Sequence, residues 1–362
     1  MLRSETEGIL ELMTQGRHEE VVLWSEPEVG YRGIIAIHDT TMGPALGGTR
    51  FWNYKSERAA VLDALRLSRG MTYKAAISGL KLGGGKSVIW SEGHNGDREE
   101  IFHAHGRAVE SLKGRYITAV DVGTSPEDME FVAKETNYVV GLPGSCGDPS
   151  PSMCSTSTAL GVCHGIKACA AQRYGTSDLS SRHVAIQGLG AVGYNVCKDL
   201  VTQGAQITVT DLDTRRVQRV VCEFGAEVAE PEAIYDVCAD IFAPCALGAV
   251  INDETINRLN FDIVAGSANN QLAQSQVHST ALHERGILYA PDYVINAGGL
   301  INVYGELHGW STEQIKDKVT GIYDTLLWIF GLAESEGIPS DEVANEVAES
   351  RIVDARALLE KR

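Results

Sequence analysis

The feature that most constrains this chain is a glycine pattern placed directly after a short apolar run. Segment 183–187 (HVAIQ) indicates a buried β-strand, and a G-x-G-x-x-G spacing opens a helical segment behind it. In such a unit the glycines permit a tight turn, a close approach of backbone to a pyrophosphate, and close packing of helix on strand. The helix N-terminus adds free N–H groups for the phosphates. The pattern predicts a dinucleotide-binding turn made of Gly188, Leu189, Gly190, Ala191, Val192 and Gly193.

An acidic residue behind the next predicted strand indicates which dinucleotide binds. Segment 206–210 (QITVT) predicts that strand, and Asp211 follows it, about 20 residues beyond the glycine turn. A carboxylate there can accept hydrogen bonds from the ribose hydroxyls and would repel a 2′-phosphate. This favours NAD, while Arg215 and Arg216 close behind leave NADP as an alternative.

The length of 362 residues and the order of the segments predict an α/β protein with two domains. The Gly-, Pro- and Ser-rich segment 141–157 is interpreted as the linker between them. After it, strands and helices alternate, which is typical of a doubly wound parallel sheet, a Rossmann domain. We therefore place domains at 1–150 and 151–335, and expect the helical segment 336–362 to pack back on the first domain.

Smaller signals locate individual helices. A helix should begin at Ser56 and end at Gly70, and Ser125 precedes a proline and two acids, as at a helix start. Ser311 begins a capping-box pattern, and the last helix should begin near Ser340.

Composition excludes several classes of protein. The net charge of −17 disfavours a nucleic-acid partner. The longest apolar run near the end, 326–330, is too short to span a bilayer, and no secretory signal opens the chain. The eight cysteines form no C-x-x-C pair, so we expect small buried side chains in a reducing cytosol and no metal site. The histidines have no metal-ligand spacing either.

A second glycine-rich element, 82–87 (LGGGKS), has two interpretations. It resembles the end of an ATPase P-loop, but Leu80 stands where that pattern needs its first glycine. Alternatively, glycines that close around a small substrate would bring Lys86 to it, with Lys74 nearby to pair with a carboxylate while Lys86 moves protons. Two ordinary surface lysines remain the simplest alternative.

The chain strongly resembles the leucine/phenylalanine/valine dehydrogenases of the glutamate dehydrogenase superfamily, over nearly its whole length. The leucine-type members are most similar, with the phenylalanine and tryptophan types near. The resemblance rests on segments 43–50 (GPALGGTR), 69–74 (RGMTYK), 83–86 (GGGK), 116–124 (YITAVDVGT), 188–193 (GLGAVG), 244–248 (PCALG), 266–272 (GSANNQL) and 290–303 (APDYVINAGGLINV).

The resemblance implies a role for each site residue. Lys74 would hold the substrate α-carboxylate, Lys86 would be the general base that activates water, and Asp121 would exchange protons with the amino group. The other implied positions are Gly47 and Gly48 with backbone at the substrate, Asn270 or Asn269 beside the substrate carboxylate with Asn269 also near the cofactor, Thr158 at the nicotinamide amide with Thr156 as a competitor, and Ala246 and Leu247 along the nicotinamide ring.

The resemblance also suggests the substrate. Glutamate-specific relatives carry Lys at the position of Leu46, which cannot grip a side-chain carboxylate. Ala119, Leu300 and Val303 match the rest of the side-chain pocket, and burying a charge among such groups would be costly. Leucine-type members usually have Val at the position of Leu300, whereas aromatic-type members pair Leu there with Gly at the position of Ala119. This chain combines Ala with Leu.

The chain also departs from the leucine-type pattern at two other places. Val120 replaces a common Glu, and segment 152–157 is longer than usual.

Together these features predict a cytoplasmic, homo-oligomeric (dimer to octamer) enzyme. It would use NAD to convert an apolar L-amino acid, preferably leucine or another branched-chain one, to the 2-oxo acid and ammonia. Substrate would bind the first domain and NAD the second, with the cleft between them closing during hydride transfer. An aromatic amino-acid dehydrogenase is the near alternative, and a non-catalytic NAD-binding regulator is the alternative of another class.

Overall fold

The computed structural model describes residues 8–91, 97–143, 152–246 and 248–361. These residues fall into two compact units, the second of which is Ser152–Val347. The first unit contains the described residues up to 143 and those from Ala348 onward. Residues 144–151 of the predicted linker lie outside the described residues, and its end at 152–157 is helical rather than a loop.

The first unit is an α/β layer built on a mixed sheet. Its described strands are β1 (Glu20–Glu26), β2 (Tyr31–Asp39), β3 (Ala45–Trp52), β4 (Gly83–Trp90) and β5 (Tyr116–Val120), and its helices are α1 (Ile9–Gly16), α2 (Glu57–Ile77), α3 (Arg98–Ser111) and α4 (Pro126–Ala133). The order across the sheet is β1-β2-β4-β3-β5. β3 is parallel to both β4 and β5, and β2 is antiparallel to β1 and β4. Strands β4, β3 and β5 therefore run parallel and side by side.

Helices cover both faces of this sheet because their apolar residues fall on one side. α2 packs through Ala60, Ala64 and Leu65 against Ile34 and Val88. On the other face α3 and α4 share a core cluster with β2 and β4. α4 begins behind the expected Ser125 cap, and the side chains of Ser125 and Asp128 accept hydrogen bonds from each other's backbone N–H, which makes the cap a capping box.

The second unit is a doubly wound parallel sheet, which confirms the predicted fold class. Its strands are β6 (His183–Gln187), β7 (Gln206–Thr210), β8 (Glu227–Val228), β9 (Ile241–Pro244), β10 (Ile263–Val264) and β11 (Leu288–Tyr289). Its helices are α5 (Ser152–Tyr174), α6 (Ala191–Thr202), α7 (Thr214–Phe224), α8 (Ser275–Glu284), α9 (Asp292–Ile295), α10 (Gly298–Leu307), α11 (Thr312–Thr320) and α12 (Ile322–Glu336), with short 3₁₀ turns at Ile234–Asp236 and Ile256–Arg258. The order β11-β10-β9-β6-β7-β8 reverses at β6, where ligands bind in such sheets.

The predicted end of a helix at Gly70 is wrong, because α2 continues to Ile77. One glycine costs a helix about 1 kcal/mol. Burial of Ala75, Ala76 and Ile77 outweighs that cost. The extension places Lys74 on the helix.

The last helix, α13 (Ser340–Leu359), begins where the sequence indicated and contacts α2 with its C-terminal half. The Arg351 guanidinium donates hydrogen bonds to the carbonyls of Ala76 and Ile77, at 2.8 and 2.7 Å. Both carbonyls lie in the last turn of α2, where helical partners run out; that of Ala76 also accepts the Gly79 N–H at 3.0 Å.

Three further expectations concern cysteines, metals and membranes. Cys163, Cys169 and Cys197 are buried as expected, but Cys154, Cys222 and Cys238 are exposed, so that expectation is wrong for half of these six. The described part of the chain has no grouping of side chains that could hold a metal ion. Within the same residues, no helix has the length and apolar character needed to cross a membrane.

Candidate active site

A largely buried cluster of charges lies in the first unit, on strands β3 and β4 and just beyond β5. The Lys86 ammonium donates a hydrogen bond to Asp121 Oδ2 at 2.6 Å, and Arg50 Nε donates to the same oxygen at 3.1 Å. The side chain of Lys86 is only 6% exposed and that of Asp121 20%. An ammonium so withdrawn from water needs its carboxylate partner.

Strand register explains why these three side chains meet. Alternate residues of a strand share one face, so Arg50 lies on the same face of β3 as Leu46 and Gly48. Gly48 pairs with Ala119 on β5, two residues before Asp121, and β4 on the other side carries Lys86. Apolar and charged side chains therefore share one face of the sheet.

Burial alone would raise the pKa of Asp121, but the positive charges of Lys86 and Arg50 outweigh it and lower that pKa to about 2. Asp121 is therefore ionised across the neutral range. Its backbone is fixed as well, because its N–H donates to the Thr124 hydroxyl at 2.8 Å, which in turn donates to the carbonyl of Thr49.

The glycines before Lys86 are required by packing. A Cβ on Gly84 would lie 2.1 Å from the backbone nitrogen of Thr72 in α2, and one on Gly85 would lie 2.6 Å from the Tyr116 ring. Such approaches to backbone and to a buried ring exclude any side chain. The glycines let α2 sit directly on β4, and Lys74 lies half-buried on this helix.

The P-loop interpretation of this segment is wrong. Gly83 and Gly84 are ladder residues of β4, paired with β3 and β2. A P-loop instead needs a loop between a strand and a helix whose N–H groups are free to hold phosphates.

Gly47 and Gly48 also have a packing role that sequence reasoning did not assign. A Cβ on Gly47 would lie 1.7 Å from the carbonyl oxygen of Gly85, and one on Gly48 would lie 2.7 Å from the Cβ of Asp121. Larger residues would therefore separate the strands that carry Lys86 and Asp121.

In the second unit, the glycine turn has the geometry that a dinucleotide site needs. Gly188 has a φ of +99°, which favours glycine. A Cβ on Gly193 would lie 2.0 Å from the carbonyl oxygen of Gly188, whereas a Cβ on Gly190 would meet nothing within 4 Å. Gly190 is also the N-cap of α6 and has no side-chain cap. The space beside Gly190 and the first N–H groups of α6 fit a pyrophosphate.

Asp211 contacts that turn directly. Its Oδ2 accepts a hydrogen bond from the backbone N–H of Leu189 at 2.6 Å, and its Oδ1 accepts one from Asp213 N–H at 2.8 Å. Arg216 lies 3.8 Å from Asp211 Oδ2, while Arg215 pairs with Asp213. The Asp211 carboxylate is thus held beside the glycine turn. Both arginines already form ion pairs with aspartates.

Three other residues predicted to bind cofactor or substrate lie in loops of the second unit: Ala246, Asn269 and Asn270. Asn269 accepts a hydrogen bond from Asn296 at 2.8 Å, and Asn270 has a φ of +51°. A Cβ on Gly188 would touch Ala246, so that residue lies against the glycine turn. Leu247 lies outside the described residues.

The remaining predicted residues, Thr158, Leu300 and Val303, lie on α5 and α10, two helices that contact each other. A Cβ on Gly299 would lie 2.9 Å from the Thr158 hydroxyl. Leu300 and Val303 are buried in α10, whereas Thr156 is exposed. Thr158 donates to the carbonyl of Cys154 at 2.8 Å.

Sequence reasoning missed the groups that hold the charge cluster. Arg50 Nη1 donates to Asp63 Oδ2 at 2.8 Å, and the Tyr54 hydroxyl donates to the same oxygen. Arg50 stands two residues after Gly48 in a segment that carried the resemblance. The strand period of two could have placed it beside Gly48 and so near Asp121.

Comparisons with known proteins show which family the chain resembles. Residues 18–138 match the model of the Glu/Leu/Phe/Val dehydrogenase dimerisation domain, and residues 209–358 match that of Glutamate/Leucine/Phenylalanine/Valine dehydrogenase. The chain is 52% identical to leucine dehydrogenase of Thermoactinomyces intermedius, over 95% of this chain and 93% of that one. It is 47% identical to phenylalanine dehydrogenase of Bacillus thermotolerans, over 92% and 88%.

A solved structure extends the likeness to three dimensions. The crystal structure of L-tryptophan dehydrogenase from Nostoc punctiforme superposes with a TM-score of 0.82 at 45% identity, covering 96% of this chain and 99% of that one. The first family model spans the charge cluster, and the nearly full-length relatives span both that cluster and the glycine turn. The chain therefore belongs to the Glu/Leu/Phe/Val dehydrogenase family.

Proposed function

We propose that this protein catalyses the NAD-dependent, reversible oxidative deamination of an apolar L-amino acid to its 2-oxo acid and ammonia, with leucine or another branched-chain amino acid preferred. The observation that carries the proposal is the buried Lys86–Asp121 pair, 2.6 Å apart, on a sheet face shared with apolar Leu46 and Ala119. Such a face suits a substrate with charged groups at one end and an apolar side chain at the other.

The second unit would hold the cofactor. The glycine turn at 188–193 would receive the pyrophosphate, Asp211 the adenosine ribose, and Thr158, Ala246, Leu247 and Asn269 the nicotinamide end. An oxidised nicotinamide nucleotide bound there would accept the hydride that leaves the substrate Cα. The Asp211 carboxylate favours NAD, because it would repel the extra phosphate of NADP.

The side chains of the first unit would handle the substrate and its protons. Lys74 would pair with the α-carboxylate, assisted by Asn270 of the second unit. Asp121 would take a proton from the substrate amino group and return one as ammonia leaves. Lys86 would remove a proton from the water that attacks Cα, so it must act in its neutral form. A substrate ammonium near Asp121 would compete with Lys86 for the carboxylate. This competition would help Lys86 to lose its proton.

Side-chain preference would follow from the apolar residues. Leu46 and Ala119 are buried in the first unit, and Leu300 and Val303 in the second. A glutamate carboxylate placed against such groups would lose its hydration without a partner. An aromatic preference is the second candidate, favoured by Leu300 and by the similarity to phenylalanine and tryptophan dehydrogenases.

Initial-rate measurements test this proposal directly. We expect the highest kcat/KM with leucine, isoleucine or valine and NAD, lower values with phenylalanine and tryptophan, and values for glutamate lower by about 100-fold. NADP should be a poorer cofactor than NAD. No NAD-dependent deamination with any of these amino acids would refute the function, and a maximum with phenylalanine or tryptophan would establish the second candidate.

Oligomeric state and location complete the proposal. Most of the first unit matches a model described as a dimerisation domain, so we propose a homo-oligomer of between two and eight copies. Light scattering coupled to size-exclusion chromatography would give the number of subunits. A cytoplasmic location stays a prediction.

A further inference from the structure

We propose that Arg50 is a positioning residue that orients the Asp121 carboxylate for proton exchange, with Asp63 and Tyr54 holding Arg50 in place. The inference rests on the proposed roles of Asp121 and Lys86. It adds a network that neither the glycine patterns nor the lysine pair indicated.

The guanidinium of Arg50 joins two carboxylates from different elements. Its Nε donates to Asp121, which follows β5, and its Nη1 donates to Asp63 on α2. The Tyr54 hydroxyl donates to the same oxygen of Asp63. Because the guanidinium is planar and its donors are fixed in direction, anchoring it at Asp63 fixes the approach of Nε to Asp121.

This arrangement assigns the two oxygens of Asp121 different tasks. Both Arg50 and Lys86 donate to Oδ2. Among the described residues, none donates a side-chain hydrogen bond to Oδ1, and the Asp121 side chain keeps 20% of its surface exposed. Oδ1 is therefore the oxygen left to exchange a proton with a ligand. Without Arg50, the carboxylate could rotate about Lys86 and lose that orientation.

The network also sets the electrostatic environment of Lys86. The cations Lys86 and Arg50 balance the carboxylates of Asp121 and Asp63. The phenol of buried Tyr116 on β5 lies near enough to Asp121 for their charges to interact, and the phenol of Tyr54 donates to Asp63. Lys74 lies on the same helix as Asp63.

Removing Arg50 or Asp63 should have opposite electrostatic effects. Loss of Arg50 leaves one cation with two carboxylates, so Lys86 would keep its proton to a higher pH. Loss of the charge on Asp63 would let Lys86 lose its proton at a lower pH. A simple loosening of the structure would not produce shifts of opposite sign.

The experiment is the pH dependence of kcat/KM for leucine deamination with NAD in Arg50→Gln, Arg50→Lys and Asp63→Asn. We expect Arg50→Gln to lower kcat/KM by about 10- to 100-fold, as for the loss of a charged hydrogen bond. The pH of half-maximal rate should rise by about one unit in Arg50→Gln and fall in Asp63→Asn. Arg50→Lys should restore the wild-type pH value but only part of the rate, because one ammonium cannot reproduce the planar donor pair.

Arg182→Gln is the matched control. Arg182 is 21% exposed, as Arg50 is, and it pairs with Asp240 at the opposite end of β6 from the glycine turn. It should leave the rate and the pH profile unchanged. NAD affinity and thermal unfolding of every variant check that it is folded, and if Arg50→Gln does not fold, the profiles of Arg50→Lys and Asp63→Asn decide.

If the pH of half-maximal rate shifts in the same direction in Arg50→Gln and Asp63→Asn, or does not shift, the proposed role of Arg50 is wrong. That outcome would leave the proposed function intact if the wild-type protein deaminates leucine and Lys86→Met does not. An inactive wild-type protein would instead refute the proposed function itself.

Discussion

Asp211 Oδ2 accepts the backbone N–H of Leu189 at 2.6 Å, so the acid that follows β7 also fastens the glycine turn that follows β6. The carboxylate thus has two tasks, one in the turn and one proposed at the ribose. A substitution that removes its charge but keeps an acceptor oxygen separates them.

Asp211→Asn should therefore keep the turn and weaken the discrimination against NADP. An amide oxygen can still accept the Leu189 N–H, although the bond from Asp213 N–H to the second oxygen is lost, and the neutral amide does not repel a 2′-phosphate. We expect the ratio of kcat/KM for NAD over NADP to fall by about tenfold, equivalent to about 1.4 kcal/mol. Asp213→Asn, which alters the neighbouring acid that caps α7, should change the ratio much less. Equal ratios in wild type and Asp211→Asn would remove Asp211 from cofactor choice.

Lys86→Met should abolish most deamination and leave NAD binding intact. Methionine fills a similar buried volume without a proton to transfer, and loss of a general base typically costs about 10²- to 10⁴-fold in rate. The glycine turn belongs to the other unit, so the dissociation constant for NAD, measured by fluorescence or calorimetry, should not change. Lys113→Met, at an exposed lysine of the same unit, is the control. Full turnover of Lys86→Met would exclude Lys86 as the base.

Asp121→Asn should lower the rate and also move its pH dependence. The pKa of Asp121 is held at about 2, so the carboxylate is charged throughout the range in which the enzyme can be assayed. A rise of the deamination rate with pH must then report another group, which we propose is Lys86. Removing the adjacent negative charge favours neutral Lys86, so the half-maximal rate should occur at lower pH. A shift to higher pH would contradict the proposed pairing.

The parts of the site that the sequence could predict are those encoded by neighbours along the chain. The turn at 188–193 and the helix start at Ser125 each need only a few consecutive residues. The length of α2 was not predictable in this way, because the glycine at position 70 is a local stop signal that buried Ile77 and its neighbours override. Local propensity is a weak prior against tertiary burial.

The charge network escaped prediction for a related reason. Arg50, Asp63 and Asp121 lie on three different elements, and only the order β4-β3-β5 and the packing of α2 bring them together. Ion pairs of this kind depend on strand register, which an unaligned sequence does not specify. The resemblance supplied Lys86 and Asp121 but assigned no partner to Arg50.

Gly190→Ala and Gly193→Ala should separate cofactor binding from stability. A Cβ on Gly190 meets no atom within 4 Å, so this variant should unfold at the wild-type temperature but bind NAD more weakly, since the methyl group occupies space beside the turn. A Cβ on Gly193 lies 2.0 Å from the Gly188 carbonyl, and overpacking of this kind costs about 1–3 kcal/mol or more. Differential scanning calorimetry and NAD titration measure both effects. Unchanged NAD affinity in Gly190→Ala would contradict the placement of the pyrophosphate.

Ala119→Gly should shift the substrate preference toward aromatic amino acids. Ala119 is buried on β5 opposite Gly48, on the sheet face of Leu46 and two residues before Asp121. Removing its methyl group leaves more space above this face of the sheet. A difference of one methylene group between substrate and pocket changes selectivity by about 10-fold or more. The ratio of kcat/KM for phenylalanine over leucine should therefore rise by about tenfold.

Ala45→Gly is the matched control for this change. It makes the same substitution at a buried alanine on the opposite face of β3, so it should cost similar stability and leave the ratio unaltered. If both variants raise the ratio, a general loosening of the sheet is responsible rather than the space beside Ala119. If neither does, Ala119 does not line the side-chain pocket, and selectivity must then come from residues of the second unit such as Leu300.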